Sequence, residues 1–201
     1  MVMRNDIVAH FAKADPVIYF LIQKISLDPV VPSSDFFRSL CREIIGQQLA
    51  GKAAHAIFTR FIKLFPRGRI TAKKLLVLSD DAIRAVGASW AKVRSLKDLA
   101  HNVVKKNLQL QSLVTLSNDD VMKELVKVKG IGPWTAEMFL MFSLAREDIF
   151  SFGDLSLQNA IQKLYKLRRK PTRKQLEILS SKWSPYRTYG CRVLWRSLEL
   201  I

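Results

Sequence analysis

The sequence predicts an all-α protein. Apolar residues recur at three- and four-residue steps through most of the chain, and turn residues fall between the periodic segments. No alternation of six residues bounded by hairpin turns argues for strands. About ten helices account for the pattern, with no internal repeat and no low-complexity tract. In chain order, Pro16 to Ile25 is an apolar run, and Pro29 to Ser34 reads as a connection. Phe36, Phe37, Leu40, Ile44 and Ile45 then mark one helical stripe. Ala53, Ala54, Ile57, Phe58, Phe61 and Ile62 mark the next, ended by the turn at Pro66 to Arg69. After Gly87, a stripe runs from Ser89 to Val104 through Trp90, Val93, Leu96, Leu99, Ala100 and Val103.

Ser117 opens the following helix, with Asp120 three residues on in capping-box spacing and Val121, Met122, Leu125 and Val126 behind it. Pro133 suits the first position of a helix, where its missing N–H costs nothing. That helix, Trp134 to about Ala145, is apolar nearly all round and is therefore expected to be buried. Leu157, Ile161, Leu164 and Tyr165 give one face of a further helix, and Pro171-Thr172 a last turn.

Composition narrows the function. A chain of 201 residues has material for one generous domain or two small lobes. Its 33 Lys+Arg against 17 Asp+Glu give a formal charge of +16, which points to a polyanionic partner, most often nucleic acid. The basic residues are spread over many segments without one amphipathic cationic face, which disfavours a membrane-surface protein. The run at Pro16 to Ile25 is too short to span a bilayer and no cleavage-like signal follows it, so a soluble, intracellular protein is expected. Cys41 and Cys191 lie far apart and outside any C-x-x-C spacing, which excludes a cysteine-held zinc or iron–sulfur cluster and predicts two buried small hydrophobes. His10, His55 and His101 form no ligand pattern.

The most informative stretch is Val126 to Ala136, with Gly130-Ile131-Gly132-Pro133 between two helices. Such a turn lets backbone N–H groups approach a phosphate that a Cβ would obstruct. Gly130 to Thr135 supply the expected donors, and Lys127 and Lys129 add charge. Asp154 follows 22 residues after Gly132, at the start of a helix, where negative charge is favoured. An aspartate there also reads as a plain N-cap, and the two roles are compatible. Asp148 is its near rival, and no second carboxylate makes a paired acid/base site.

Val128 to Ala136 resembles the hairpin of the helix-hairpin-helix-GPD DNA glycosylase superfamily, and Gly153-Asp154-Leu155 resembles its GPD segment, with Asp154 at the essential aspartate. Ile44-Ile45-Gly46-Gln47-Gln48-Leu49-Ala50 and Trp183-Ser184-Pro185-Tyr186-Arg187-Thr188-Tyr189-Gly190 with Leu194-Trp195 are similar to signatures of the alkylation-repair, 3-methyladenine DNA glycosylase II, branch. The resemblance runs from about residue 35 to the C-terminus. It implies a single glycosylase unit over 1–201 with two helical lobes and the active-site cleft between them. One lobe is about 1–32 plus 146–201, the other about 33–145 with the hairpin at 118–145.

The resemblance further implies a monofunctional enzyme that flips an alkylated purine out of duplex DNA and hydrolyses its N-glycosidic bond. The purine would be of the 3-methyladenine type, with 7-methylguanine, ethenoadenine and hypoxanthine as further candidates. Asp154 would be catalytic, while Trp134, Tyr186 and Met138 would line the base pocket. Gln48 and Leu49 would intercalate, and Lys127, Lys129, Gly130, Gly132 and Thr135 would bind phosphate. Read without the family, Gln48 is equally a polar residue on a helix end, and Met138, more than Trp134, reads as core packing. No cofactor is required, although the carbonyls of Val126, Val128 and Gly130 match a Na+ or K+ site. A monomer is expected, in the cytoplasm or nucleoid (the nucleus if eukaryotic), handing its product to an abasic-site endonuclease. Where bifunctional members carry a Schiff-base lysine this chain has Trp134, so the lyase step is expected to be missing. Ala50 replaces a serine of the pattern, and Met138 a tyrosine that some relatives use in the pocket. The readings left beside this one are a non-catalytic DNA-binding module and a bifunctional glycosylase for oxidised bases.

Overall fold

The computed structural model describes residues 3–198, and among them every regular element is helical. The helices are α1 (Asn5–Ala14), α2 (Pro16–Ile22), α3 (Phe36–Gly46), α4 (Gly51–Lys63), α5 (Ala72–Val77) and α6 (Asp80–Ala85). They continue as α7 (Trp90–Val104), α8 (Asn118–Leu125), α9 (Pro133–Phe142), α10 (Leu155–Leu164), α11 (Arg173–Ser181) and α12 (Arg187–Ser197). Short 3-10 turns lie at Pro66–Gly68 and Leu110–Val114. The chain divides into two compact units, Pro32–Leu144 and Met1–Val31 with Ala145–Ile201. No helix among the described residues is long and apolar enough to cross a membrane.

In the unit of 32–144, α3 packs against α4, α7 and α9, and α8 packs against α9. The predicted stripes face inward: Leu40, Ile44 and Ile45 of α3 and Val93, Leu96 and Leu99 of α7 are buried, and Phe36 meets Phe139 edge-on at 5.6 Å. Burying one such side chain contributes about 1.5–3 kcal/mol. α9 buries Thr135, Ala136, Met138, Phe139, Leu140 and Met141, as its apolar circumference requires, but ends at Phe142 rather than near Ala145. Ser117 caps α8 by accepting from the Asp120 N–H at 3.1 Å. The predicted box does not close. The Ser117 hydroxyl donates to the Asp120 carboxylate itself, so that acid is not hydrogen-bonded to the Ser117 backbone. A full capping box stands instead at Thr172 and Gln175, ahead of α11.

The second unit is organised around Asp15, which is 3% exposed. Its Oδ1 caps α2 by accepting from the Val17 and Ile18 N–H groups. Its Oδ2 accepts from the Tyr165 hydroxyl at 2.6 Å and from the Trp183 indole at 2.8 Å. A buried carboxylate is tolerated only when so fully hydrogen-bonded. Burial raises the Tyr165 pKa above its usual value, and the hydrogen bond to Asp15 adds to the shift. Trp183 is fully buried against Phe11 and Phe150, and a Cβ at Gly190 would come within 2.5 Å of its ring. Cys41 and Cys191 are buried free thiols, and burial pushes the Cys41 pKa up.

The replacement at Ala50 has a local consequence. Ala50 occupies the N-cap of α4 with extended backbone and offers no side-chain acceptor to the first turn. Ala50→Ser therefore stabilises the chain by about 1 kcal/mol. In thermal unfolding the midpoint rises by about 2–4 °C; an unchanged or lower midpoint contradicts the assignment of this helix start.

Candidate active site

The hairpin connecting α8 to α9 is a tight turn in which the Ile131 N–H donates to the Val128 carbonyl at 3.0 Å. Gly130, the third residue of the turn, has φ +82, and a Cβ on it would overlap Ser95 of α7. Only glycine meets both demands. Two further contacts fix the loop. The Lys129 N–H donates to Asp98 Oδ2 at 2.8 Å, and the Gly130 carbonyl accepts from Gln47 Nε2 at 2.8 Å. α9 then begins at Gly132, which gives no side-chain cap, and a Cβ on Gly132 would meet nothing within 4 Å. Ile131 and Pro133 are thus not donors, contrary to the broad expectation for Gly130 to Thr135: one N–H closes the turn and the other does not exist. Among the described residues the N–H groups of Gly130, Gly132 and Thr135 have no acceptor in the protein. Such an uncapped N-terminus favours an anion.

Charge around the loop is uneven. Lys129 is exposed, whereas Lys127 pairs with Glu124 at 2.6 Å on the surface, a contact of about 0–1 kcal/mol. Of the three carbonyls expected to suit a cation, those of Val128 and Gly130 each accept a hydrogen bond already, which leaves each one lone pair. Trp134 stands half-buried in the first turn of α9, and Met138 is buried one turn on.

The loop after α3 belongs to the same unit. Gln48 is exposed with φ +55, a conformation that costs a residue with a Cβ about 1–3 kcal/mol. Leu49 beside it is 37% exposed. Gln47 points the other way, donating to Thr135 Oγ1 at 2.9 Å as well as to Gly130. Lys92 of α7 donates to the carbonyls of Ile45 and Gln47, both at 2.8 Å, and burial lowers its pKa.

Asp154 lies in the other unit. It is the N-cap of α10, 7% exposed, and its Oδ1 accepts from the Leu157 N–H at 2.8 Å and from the Trp195 indole at 3.3 Å. The turn before it is held by Gln158, which donates to the Phe152 carbonyl at 3.0 Å. A Cβ at Gly153, just before the acid, would meet nothing within 4 Å. Asp148 is a different kind of carboxylate. Arg187 grips it at 2.6 and 3.0 Å and Ser184 donates at 2.8 Å. Burial acts to raise the Asp148 pKa, but the hydrogen bonds from Arg187 and Ser184 outweigh it and the net shift is downward. Tyr186 donates its hydroxyl to Asp6 at 3.0 Å and sets its ring edge-on to His10 and Tyr189, while the Trp195 indole donates to Asp154.

Sequence reasoning passed over five participants: Gln47, Lys92, Ser95, Asp98 and Trp195. Lys92, Ser95 and Asp98 stand three residues apart, a spacing that puts them on one helix face, but polar residues on a helix face ordinarily read as solvated. Gln47 and Trp195 stand inside family-like motifs, and only tertiary contact gives each a partner.

Comparison with known proteins identifies the family. Residues 41–185 match the HhH-GPD superfamily of base excision DNA repair proteins. The chain is 34% identical over 166 residues to DNA-3-methyladenine glycosylase 1 of Schizosaccharomyces pombe, covering 82% of this chain and 73% of the relative. It is 29% identical over 201 residues to a putative DNA-3-methyladenine glycosylase of Bacillus subtilis, covering 97% of this chain and 69% of that one. Among solved structures, the 3-methyladenine DNA glycosylase of S. pombe in complex with abasic DNA superposes with a TM-score of 0.88 at 30% identity, over 97% of each chain. With its hairpin, its acid-capped helix and these relatives together, the chain belongs to the HhH-GPD superfamily of base excision DNA repair proteins.

Proposed function

We propose that this protein is a monofunctional DNA glycosylase that removes alkylated purines from duplex DNA and so starts base excision repair. The observation that carries the reading is the pairing of an uncapped helix start at Gly132 with a buried helix-capping carboxylate at Asp154 in one chain. The first is suited to a phosphate, the second to positive charge at a sugar. The relatives named as DNA-3-methyladenine glycosylases support the substrate class.

A base inside a duplex is out of reach, so the nucleotide swings out at a cost of about a few kcal/mol, least where damage has weakened its pairing. Gly130, Gly132 and Thr135 would hold the backbone phosphate through their N–H groups, with Lys129 adding charge. Exposed Gln48 would fill the vacated stack, with Leu49 beside it. Trp134 would stack on the extruded base, a contact of about 1–3 kcal/mol. The same face attracts a methylated purine, which carries positive charge. The bond from C1′ to the base nitrogen then breaks, and its electron pair leaves with the base. Positive charge on the deoxyribose is stabilised by the Asp154 carboxylate, held in place by Leu157 and Trp195. Water adds at C1′ and loses its proton, leaving free base and an abasic site for an endonuclease. With Trp134 where a Schiff-base lysine would stand, no amine attacks the sugar and the strand stays uncut. Action as a monomer, wherever the cell keeps its DNA, completes the proposal.

Asp154→Asn keeps the N-cap but not the charge, so base release from 7-methylguanine duplex falls by about 10²–10³-fold or more. Duplex binding survives, and borohydride traps no covalent adduct with either protein. Full turnover by the variant removes Asp154 from the chemistry. Gly130→Ala imposes left-handed backbone on a Cβ and crowds Ser95, at a cost of about 1–3 kcal/mol for the backbone alone. Duplex binding, measured against salt, weakens while the slope of log K on log salt, about −0.9 per phosphate neutralised, stays the same. Binding at wild-type strength contradicts the phosphate grip.

A further inference from the structure

α7 touches both loops assigned to DNA, from one face. Its Asp98 accepts from the Lys129 N–H of the hairpin, and its Ser95 lies where a Cβ on Gly130 would stand. One turn before Ser95, half-buried Lys92 reaches the end of α3 and donates to two carbonyls, those of Ile45 and Gln47. The last carbonyls of a helix lack intrahelical partners and carry partial negative charge, so a cationic donor suits them. Gln48 comes directly after them, in left-handed backbone and facing solvent. The residue has a Cβ, and local propensity does not favour this conformation. The Gln47 side chain is anchored to Gly130 and Thr135, and the Leu49 N–H donates to the Gly46 carbonyl at 3.2 Å. These bonds pin the loop on either side of Gln48, and Lys92 pins its backbone directly at residue 47.

We propose that Lys92 is a positioning residue for duplex opening: by bridging the Ile45 and Gln47 carbonyls it holds Gln48 in its exposed wedge conformation. The inference rests on the glycosylase reading and on the wedge role of Gln48 within it. Lys92 touches neither base nor sugar. It acts through Gln48, so its influence extends only to steps in which a stacked base must be displaced. A single-stranded substrate has no stack to open and does not need it.

The test compares wild type, Lys92→Met, Lys92→Arg, Gln48→Ala and the double variant Lys92→Met/Gln48→Ala. Single-turnover release of 7-methylguanine is measured from a duplex and from the same strand alone. Lys92→Met keeps the apolar stem and the helix preference, and its thermal midpoint is measured alongside. The expected result is a loss of about 10- to 100-fold on duplex, as for a small displacement of a positioned group, with single-strand release unchanged. Gln48→Ala shows a duplex loss at least as large, the double variant is no worse than Gln48→Ala, and Lys92→Arg recovers part of the loss. A second readout does not depend on base release. 2-Aminopurine opposite a tetrahydrofuran abasic site brightens when its stack is opened, and both single variants are expected to dim that signal.

Wild-type fluorescence and duplex release in Lys92→Met, beside a defective Gln48→Ala, overturn the role of Lys92 alone. Equal losses on duplex and single strand, or additive losses in the double variant, do the same, because they mark a general structural defect. Normal duplex release by Gln48→Ala overturns the wedge itself and this inference with it. Absence of release from either strand by wild type overturns the glycosylase reading, and the fluorescence comparison still judges Lys92. Should Lys92→Met not fold, Lys92→Arg against wild type decides on the same two signals.

Discussion

The turn from Val128 to Ile131 is the constraint on which the rest of the candidate site depends. Its hydrogen bond brings two helix ends together, and its third residue must take φ +82 against Ser95, which admits only glycine. Once the turn is so closed, the N–H groups of Gly132 and Thr135 have no acceptor among the described residues, and α9 starts without a side-chain cap. An uncapped helix start is a local cost in an isolated protein, and it is recovered when an anion binds. Asp98 and Gln47 hold the turn from α7 and from the end of α3, so the loop that meets a ligand is fixed by side chains that do not.

Two buried aspartates cap helices in the other unit, and they differ in their surroundings. Asp15 places both oxygens on protein donors, four in all, and ties α2 to Tyr165 and Trp183. Its Oδ2 partners come from distant parts of the chain, and the carboxylate joins them. Asp154 caps α10 in the same way, with glycine immediately before it, open space at that Cβ position, and the Trp195 indole among its donors. Asp148, the other candidate in the sequence, is held by a bidentate arginine, an arrangement that stabilises the link to α12.

The charge of +16 works at a different range from these contacts. It favours encounter with any polyanion and carries no choice of lesion. Several of the basic side chains nearest the hairpin are paired on the surface, Lys123 with Asp120 and Lys127 with Glu124. In the proposed function the local grip falls to backbone N–H groups and Lys129, and choice among bases to the aromatic and apolar side chains near α9.

The sequence by itself determined the helical class, because three- and four-residue apolar spacing is a property of each segment alone. It also placed the glycine turn, Pro133 at the helix start and Asp154 at an N-cap, all local signals with a local cause. Ser117 shows the limit even there: the cap was legible, but whether Asp120 would turn to the backbone or to the hydroxyl was not. The tertiary structure decided that Lys92 and Asp98 hold two loops and that Ser95 abuts Gly130. It decided that Tyr186 joins Asp6 and His10, and that Trp195 reaches Asp154. These pairings join residues tens of positions apart or more, and the period of a helix states which face a side chain occupies but not what stands opposite it.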